Sequence, residues 1–336
     1  MTEFSALRRP TFLLLFGCFG RRRKRKKSSR AFEAARNPCS PQDPRPLRLL
    51  QPRTWHKPVA LITGTSTGIG LSAAILLAKA DFHVVATMRN LDKATELKER
   101  AQKEGVEVEL QQLDVSSLES ITRCVEQVIA THGNIALLVN NAGAGQLGSL
   151  EQVSEKDLRS AMEVNFFGVW QLTKAVLPHM RRARSGRVIS VTSVGGLIGQ
   201  PFNDAYCAAK FAVEGAMESL APVTKRFGVD IILVEPGAVH SAFVENVLAK
   251  GSVAPVEGDE EEQFYSKLLE SYVAGTKDAY AMGQTSDEVA EVIVKAAKEE
   301  KPHLRYQTSA FIEAICGKKI SDLTGDSIVD LTGSRL

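Results

Sequence analysis

The chain has 336 residues, 44% apolar and 24% charged, which excludes a disordered polyelectrolyte and suits one large α/β domain or two small ones. The formal net charge of +3 conceals an asymmetry: residues 1–57 hold fifteen Lys or Arg against three acids, and the remainder holds 27 against 36. The body is therefore acidic, which argues against a nucleic-acid surface on it.

Five scattered cysteines without a Cys-x-x-Cys pair suit a reducing compartment, read here as cytoplasmic, and no structural metal. Residues 1–57 read as a basic, Pro-rich extension. Thr11 to Gly20 is apolar but shorter than the ~20 residues that span a bilayer. The run Arg21 to Lys27 follows it and opposes translocation. A dispensable start, a targeting signal and an anionic-lipid contact are the readings open to this extension. No stretch of the chain reads as a transmembrane helix.

Pro58 to Thr63 is a buried strand by pattern. Gly64-Thr65-Ser66-Thr67-Gly68-Ile69-Gly70 follows, then an apolar helix from Leu71 to Ala80. Strand, glycine turn and helix is the setting in which backbone N–H groups receive a pyrophosphate. Phe82 to Met88 is the next strand. An acid about twenty residues beyond the glycines would hold the ribose 2′-hydroxyl of NAD. Arg89 stands there instead, nineteen residues after Gly70, and a guanidinium suits a 2′-phosphate. The expectation is NADP(H), with NAD(H) second.

Further along, a helix over 91–104 precedes a strand from Val106 to Leu113 that ends in Asp114. A helix over 117–131 leads to the strand Ile135 to Val139 and then Asn140-Asn141-Ala142-Gly143. A helix over 154–183 contains Asn165. The strand Arg187 to Thr192 ends at Ser193, and a helix carrying Tyr206 and Lys210 follows. Those two stand at i and i+4, on one helical face, where an ammonium would lower the tyrosine pKa. The strand Val229 to Val234 runs into Glu235-Pro236-Gly237, a helix covers 285–300, and Leu304 to Gln307 adds an edge strand. Strands alternating with helices predict a doubly wound, seven-stranded parallel sheet in one α/β domain. Ligands then bind at the carboxyl ends of the strands.

The ordered set Thr63-Gly64-x-x-x-Gly68-x-Gly70, Asp114, Asn140-Asn141-Ala142-Gly143, Asn165, Ser193, Tyr206-x-x-x-Lys210 and Pro236-Gly237 resembles the short-chain dehydrogenase/reductase family. It does so over residues 58 to about 310. Val85 to Asn90 and Asn165 to Val176 look most like the branch holding 17-beta-hydroxysteroid and retinol dehydrogenases. The resemblance implies an oxidoreductase acting on CH–OH groups, with a Rossmann fold and hydride transfer that needs no metal. It implies Tyr206 as general acid or base, Lys210 on the nicotinamide ribose, Ser193 on the substrate oxygen and Asn165 in a proton relay. Gly64, Ser66, Thr67, Gly68, Ile69, Gly70 and Arg89 would hold the adenosine and phosphates. Asp114 would meet the adenine, and Asn141, Ala142 and Gly143 the ribose side. Pro236, Gly237 and Val239, within the stretch to His240, would lie against the nicotinamide.

Residues 239–285 are expected to form a substrate lid with an inner face of Ala242, Phe243, Val247, Leu248, Phe264, Leu268, Leu269 and Tyr272. Residues 311–336 read as a C-terminal tail, polar from Gly317 to Leu336. The expected substrate is a small apolar carbonyl or alcohol, steroid-, retinoid- or lipid-like, and the expected assembly a homodimer or homotetramer. The rival is a non-catalytic NADP(H)-sensing or scaffold protein, which would usually lack the tyrosine or the lysine.

Overall fold

In the computed structural model, which describes residues 57–240 and 260–336, β1 (Val59–Thr63) is buried along its whole length. Successive side chains enter opposite faces of the sheet, so a strand covered on both sides has no polar position to spare. β1 pairs in parallel with β2 (His83–Met88) on one side and β4 (Leu137–Asn140) on the other. β3 (Glu109–Gln112) adds to β2, and β5 (Gly186–Val191), β6 (Val229–Glu235) and β7 (Arg305–Gln307) extend the other half. The order is β3-β2-β1-β4-β5-β6-β7, all parallel, as the alternating pattern predicts.

Two apolar layers cover this sheet. On one face Ala60 and Ile62 meet Leu71, Ala74 and Ile75 of α1 (Gly68–Lys79). On the other, Leu61 and Leu138 meet the helices α3 (Leu118–His132), α5 (Gly168–Ala183) and α6 (Asp204–Lys225), through residues such as Ile121, Leu172 and Val213. The first layer is completed by α2 (Thr95–Glu104), through Leu97 and Ala101. The order reverses between β1 and β4, so their carboxyl ends diverge and open a crevice.

Three expected elements differ in detail. The strand over Val106 to Leu113 pairs only from Glu109 to Gln112. The segment 91–104 opens with a tight turn, Leu91–Ala94, before α2. The helix over 154–183 is interrupted: α4 (Glu155–Met162) passes into a π-helical turn, Glu163–Phe167, and only then into α5. That turn carries Asn165. After residue 259 come α7 (Glu260–Ala281), α8 (Ser286–Lys298), α9 (Ala310–Ser321) and α10 (Asp326–Gly333). α8 begins with a full capping box between Thr285 and Glu288 and packs on α1. Residues 311–336, read as a tail, carry most of α9 and all of α10, with Ile312, Cys316 and Ile328 buried. Among the described residues, no helix is long and apolar enough to cross a membrane.

Candidate active site

The crevice at the carboxyl ends of the strands is one cavity of about 680 Å³. Its floor is the turn after β1. Gly64 has φ +71°, and a Cβ there would stand 2.8 Å from the Ala142 Cα, so glycine is required twice over. Gly70 does not line the cavity. It lets the first turn of α1 close on the turn below it, because a Cβ there would collide with the Gly64 carbonyl oxygen and the Asn141 amide. Gly70→Ala is therefore expected to cost about 1–3 kcal/mol of stability, read by denaturant unfolding, and to weaken cofactor binding by distorting the turn.

Asn141 pins the same turn. Its Nδ2 donates to the carbonyls of Thr63 at 2.9 Å and Gly64 at 3.1 Å, while its own N–H and that of Ala142 donate to Thr63 Oγ1. Thr67 caps α1 in an extended conformation, and its side chain makes no cap bond. An uncapped helix start with glycines in front of it is a ready anion site. Gly64, Ser66, Thr67, Gly68 and Ile69 all line the cavity beside it. Arg89 lies exposed on the cavity rim just past β2, with no ion pair to its guanidinium among the described residues. Asp114 is on the same rim, its Oδ1 accepting from the N–H and hydroxyl of Ser116 at 3.0 and 2.6 Å.

The reactive end lies where β4, β5 and β6 stop. Ser193 stands two residues past the end of β5, and its hydroxyl hydrogen-bonds Tyr206 on α6. Lys210, one turn on and buried, donates from Nζ to the Val191 carbonyl at 3.0 Å, with Nζ 5.7 Å from the Tyr206 ring centre. Asn165 is fully buried. Its Nδ2 donates to the carbonyls of Ala161 and Ala144 at 2.9 and 2.8 Å, and its Oδ1 accepts from the Ala144 N–H at 3.1 Å. From the π turn this side chain thus ties the end of α4 to the loop after β4. Gly143 passes between the two: a Cβ there would be 3.0 Å from Asn165 Oδ1 and 3.8 Å from Lys210 Nζ. Pro236, Gly237 and Val239 line the wall opposite.

A family model for short chain dehydrogenases matches residues 58–251, which include the glycine turn, Asn165, Ser193, Tyr206 and Lys210. The chain belongs to the short chain dehydrogenase family. Among its relatives, human 17-beta-hydroxysteroid dehydrogenase type 1 is 41% identical over 81% of this chain and 83% of its own length. Human retinol dehydrogenase 8 is 39% identical over 81% of this chain and 88% of its own. Among solved structures, an alcohol dehydrogenase of the archaeon Thermococcus sibiricus, complexed with 5-hydroxy-NADP, superposes with a TM-score of 0.59 at 26% identity, covering 74% of this chain and 95% of that one. This short chain dehydrogenase is an oxidoreductase of the steroid and retinol dehydrogenase branch, acting on CH–OH groups.

Electrostatics inside this dehydrogenase depart from the expectation in one respect. Tyr206 was expected to be lowered by Lys210. Its pKa is instead raised, by burial above all, and it is the Ser193 hydrogen bond that pulls it back. The lysine is itself pushed down to about 8 by burial, opposed by the Glu214 carboxylate one helical turn further on. Cys207, beside Tyr206, is an inert packing residue, buried and pushed up to about 11.

Beneath Lys210 lies a group that the motifs do not name. Glu214 accepts from the Thr192 hydroxyl at 2.6 Å and from Arg305 Nε at 3.1 Å. The same Nε stands 3.1 Å from Glu235, which ends β6 with no exposed surface. Arg305 also donates to Glu218 at 2.6 Å. The i+4 spacing of Glu214 from Lys210 was a usable signal for part of this cluster. Nothing local joins α6 to β7, ninety-one residues away.

The substrate end of the cavity also differs from expectation. Of the proposed lid residues, Tyr272 lines it, with Val273, Thr276 and Tyr280 of α7. Phe264, Leu268 and Leu269 do not, and Phe264 is 61% exposed. Ala242, Phe243, Val247 and Leu248 lie outside the described residues. The rest of the wall comes from the C-terminal helices, through Phe311, Ile312, Ile315 and Leu331, and from Arg335 beyond them. His240 is not on the wall; its N–H donates to the Gln284 carbonyl.

Proposed function

We propose that the chain interconverts a carbonyl and an alcohol on an apolar substrate with NADP(H), using Tyr206 to move the proton. The observation that carries the reading is the meeting of Tyr206, Ser193 and Lys210 at the end of a glycine-floored crevice with Arg89 on its rim. The residues present suit a dinucleotide. The cavity floor at Gly64, Gly68 and Ile69 lies beside the α1 start and suits a pyrophosphate, with Gly70 keeping the turn closed behind it. Arg89 would hold a 2′-phosphate from the rim, and Ser66 and Thr67, which line the same cavity, would add hydroxyl donors. Asp114 would meet the adenine, and Asn141, Ala142 and Gly143 would border the ribose. Lys210 would hold the nicotinamide ribose, and Pro236, Gly237 and Val239 would back the ring. When bound, the nicotinamide supplies or accepts hydride.

The chain's own groups handle the proton. In reduction Tyr206 donates its O–H to the substrate oxygen. Ser193 hydrogen-bonds that oxygen and stabilises the charge developing on it. A tyrosine raised by burial remains a phenol at neutral pH, ready as an acid. The Lys210 ammonium offsets phenolate charge as the proton leaves. Asn165 holds the Ala144 backbone and keeps the wall of the crevice in place.

An apolar substrate is supported by Val194, Ile198, Tyr272, Ile312, Ile315 and Leu331 around the outer cavity, and by the names of the steroid and retinol dehydrogenases among the relatives. The large apolar side chains Phe167, Trp170 and Phe211 are exposed on the π turn, α5 and α6, which supports a homodimer or homotetramer through those helices. The test is oxidation of NADPH and NADH by purified protein over a panel of steroid, retinoid and aliphatic carbonyls. NADPH-dependent turnover on one class is expected. Tight NADPH binding without turnover on any class would favour the sensing role. Arg89→Asp is expected to shift the NADPH-to-NADH preference by at least about tenfold, since a charge-assisted hydrogen bond contributes ~1.5–3 kcal/mol. An unchanged ratio of kcat/KM values would remove Arg89 from cofactor choice.

A further inference from the structure

Outside the crevice, one cluster of described side chains combines three metal-binding donors from three separate elements. His83 opens β2, Glu109 opens β3 and His132 ends α3. His83 Nε2 lies 2.9 Å from Glu109 Oε2, and His132 Nε2 lies 2.8 Å from the same oxygen. The imidazole centroids are 4.5 Å apart, and all three donor atoms fall within 4.8 Å of one another. The side chain of His132 is 17% exposed, against 41% for His83 and 37% for Glu109, so the cluster is anchored on one side and open to solvent on the other.

We propose that His83, Glu109 and His132 bind one divalent transition-metal ion of the zinc class, through Nε2 of both imidazoles and Oε2 of the carboxylate, with water completing the shell. Two neutral imidazoles and a carboxylate are the donors zinc takes, and they suit magnesium or calcium poorly. Zinc bonds of about 2.0–2.1 Å in a tetrahedron set the donors roughly 3.3 Å apart. Opening the present 2.8 and 2.9 Å separations that far takes about half an ångström, well within reach of half-exposed side chains. Each imidazole binds as the neutral Nδ1–H tautomer, its Nε2 proton passing to Nδ1 through solvent, and the ion takes the place between the three groups.

Position defines the role. His83 and Glu109 are the first residues of their strands, so the site lies at the opposite end of the sheet from the crevice. It takes no part in the redox chemistry. β3 is the sheet edge, four residues long, and its strand partner is β2 alone. The ion ties that edge to β2 and to α3, which stabilises the folded state by mass action.

The test is calorimetric titration of the chelator-treated full chain with Zn²⁺. One site of micromolar or tighter affinity is expected. Tm is expected to rise by about 5 °C at a hundredfold excess of free Zn²⁺ over Kd. Glu109→Gln keeps an acceptor for both imidazoles while removing the charge, and His132→Gln removes one ligand. Each should weaken binding by at least about tenfold and abolish the Tm rise, with far-UV circular dichroism unchanged. Should His132→Gln alter that spectrum, His83→Asn, at a half-exposed strand start, replaces it. Absence of Zn²⁺ binding below about 1 mM would leave only a hydrogen-bonded triad and overturn the proposal. So would equal Zn²⁺ affinity in the native chain and the variants, because the ion would then sit elsewhere.

Discussion

Tyr206→Phe is expected to lower kcat for carbonyl reduction by about 10³-fold while NADPH affinity stays within about twofold. The substitution removes one oxygen and leaves the ring, whose packing on α6 is unchanged. The proton and the hydrogen bond with Ser193 are lost. Single-turnover kinetics with NADPH, beside a fluorescence titration of cofactor binding, separates the two quantities. Turnover near the native rate would remove Tyr206 from the chemistry. Loss of binding and turnover together would point to a damaged site rather than a missing acid. Direction also matters. Burial holds Tyr206 above the usual phenol range, so reduction finds its proton donor in place at neutral pH. Oxidation needs the phenolate, so its rate is expected to climb with pH while Lys210, at about 8, keeps a share of its charge.

Arg305→Met is expected to cost about 3 kcal/mol of stability at pH 8 and clearly less at pH 5.5, read by urea unfolding. The arginine is the cation shared by Glu214 and Glu235, both buried, and its loss leaves two carboxylates facing each other without it. Glu235 is already pushed up to about 7, first by burial and then by Glu214. Its folded pKa therefore lies above the unfolded value of about 4.3, and the folded state holds the proton more tightly. In the native chain this group's contribution to stability is largest below the unfolded pKa and falls away as pH rises towards 7. Without Arg305 both carboxylates shift further up, and the loss deepens on the alkaline side. Equal destabilisation at both pH values would show that Arg305 acts by packing rather than by charge. Because Glu214 faces Lys210, the same variant is expected to alter the pH profile of turnover as well.

Much of the site was legible because its parts are local. A turn that needs a left-handed backbone at Gly64 and no side chain at Gly70 leaves its mark as glycines at fixed offsets from a buried strand. The i and i+4 spacing of Tyr206 and Lys210 survives any tertiary arrangement of α6. The π turn at Asn165 left no such mark. Its residues read as a continuous helix, and only the competition of the Asn165 amide for the Ala161 and Ala144 carbonyls shows the break. Phe264, Leu268 and Leu269 satisfy a helical apolar period, yet the wall is made by Tyr272, Val273, Thr276 and Tyr280. Periodicity names a face of a helix without saying what lies opposite it.

The sequence by itself determined the alternation of strands and helices, hence a parallel doubly wound sheet, and the glycine turn, the Arg89 position and the Tyr206–Lys210 pair at the carboxyl ends of its strands. These follow from rules that act within a few residues: side-chain period, allowed φ and turn geometry. Only the tertiary structure decided what burial and distant pairing impose. It brought Ser193 of the β5 end to Tyr206, set the tyrosine's pKa upward rather than downward, and placed Arg305 between two carboxylates from α6 and β6. It also turned the apparent tail into the outer wall of the cavity. Desolvation and charge coupling depend on which groups share a space, and that is a property of the folded chain.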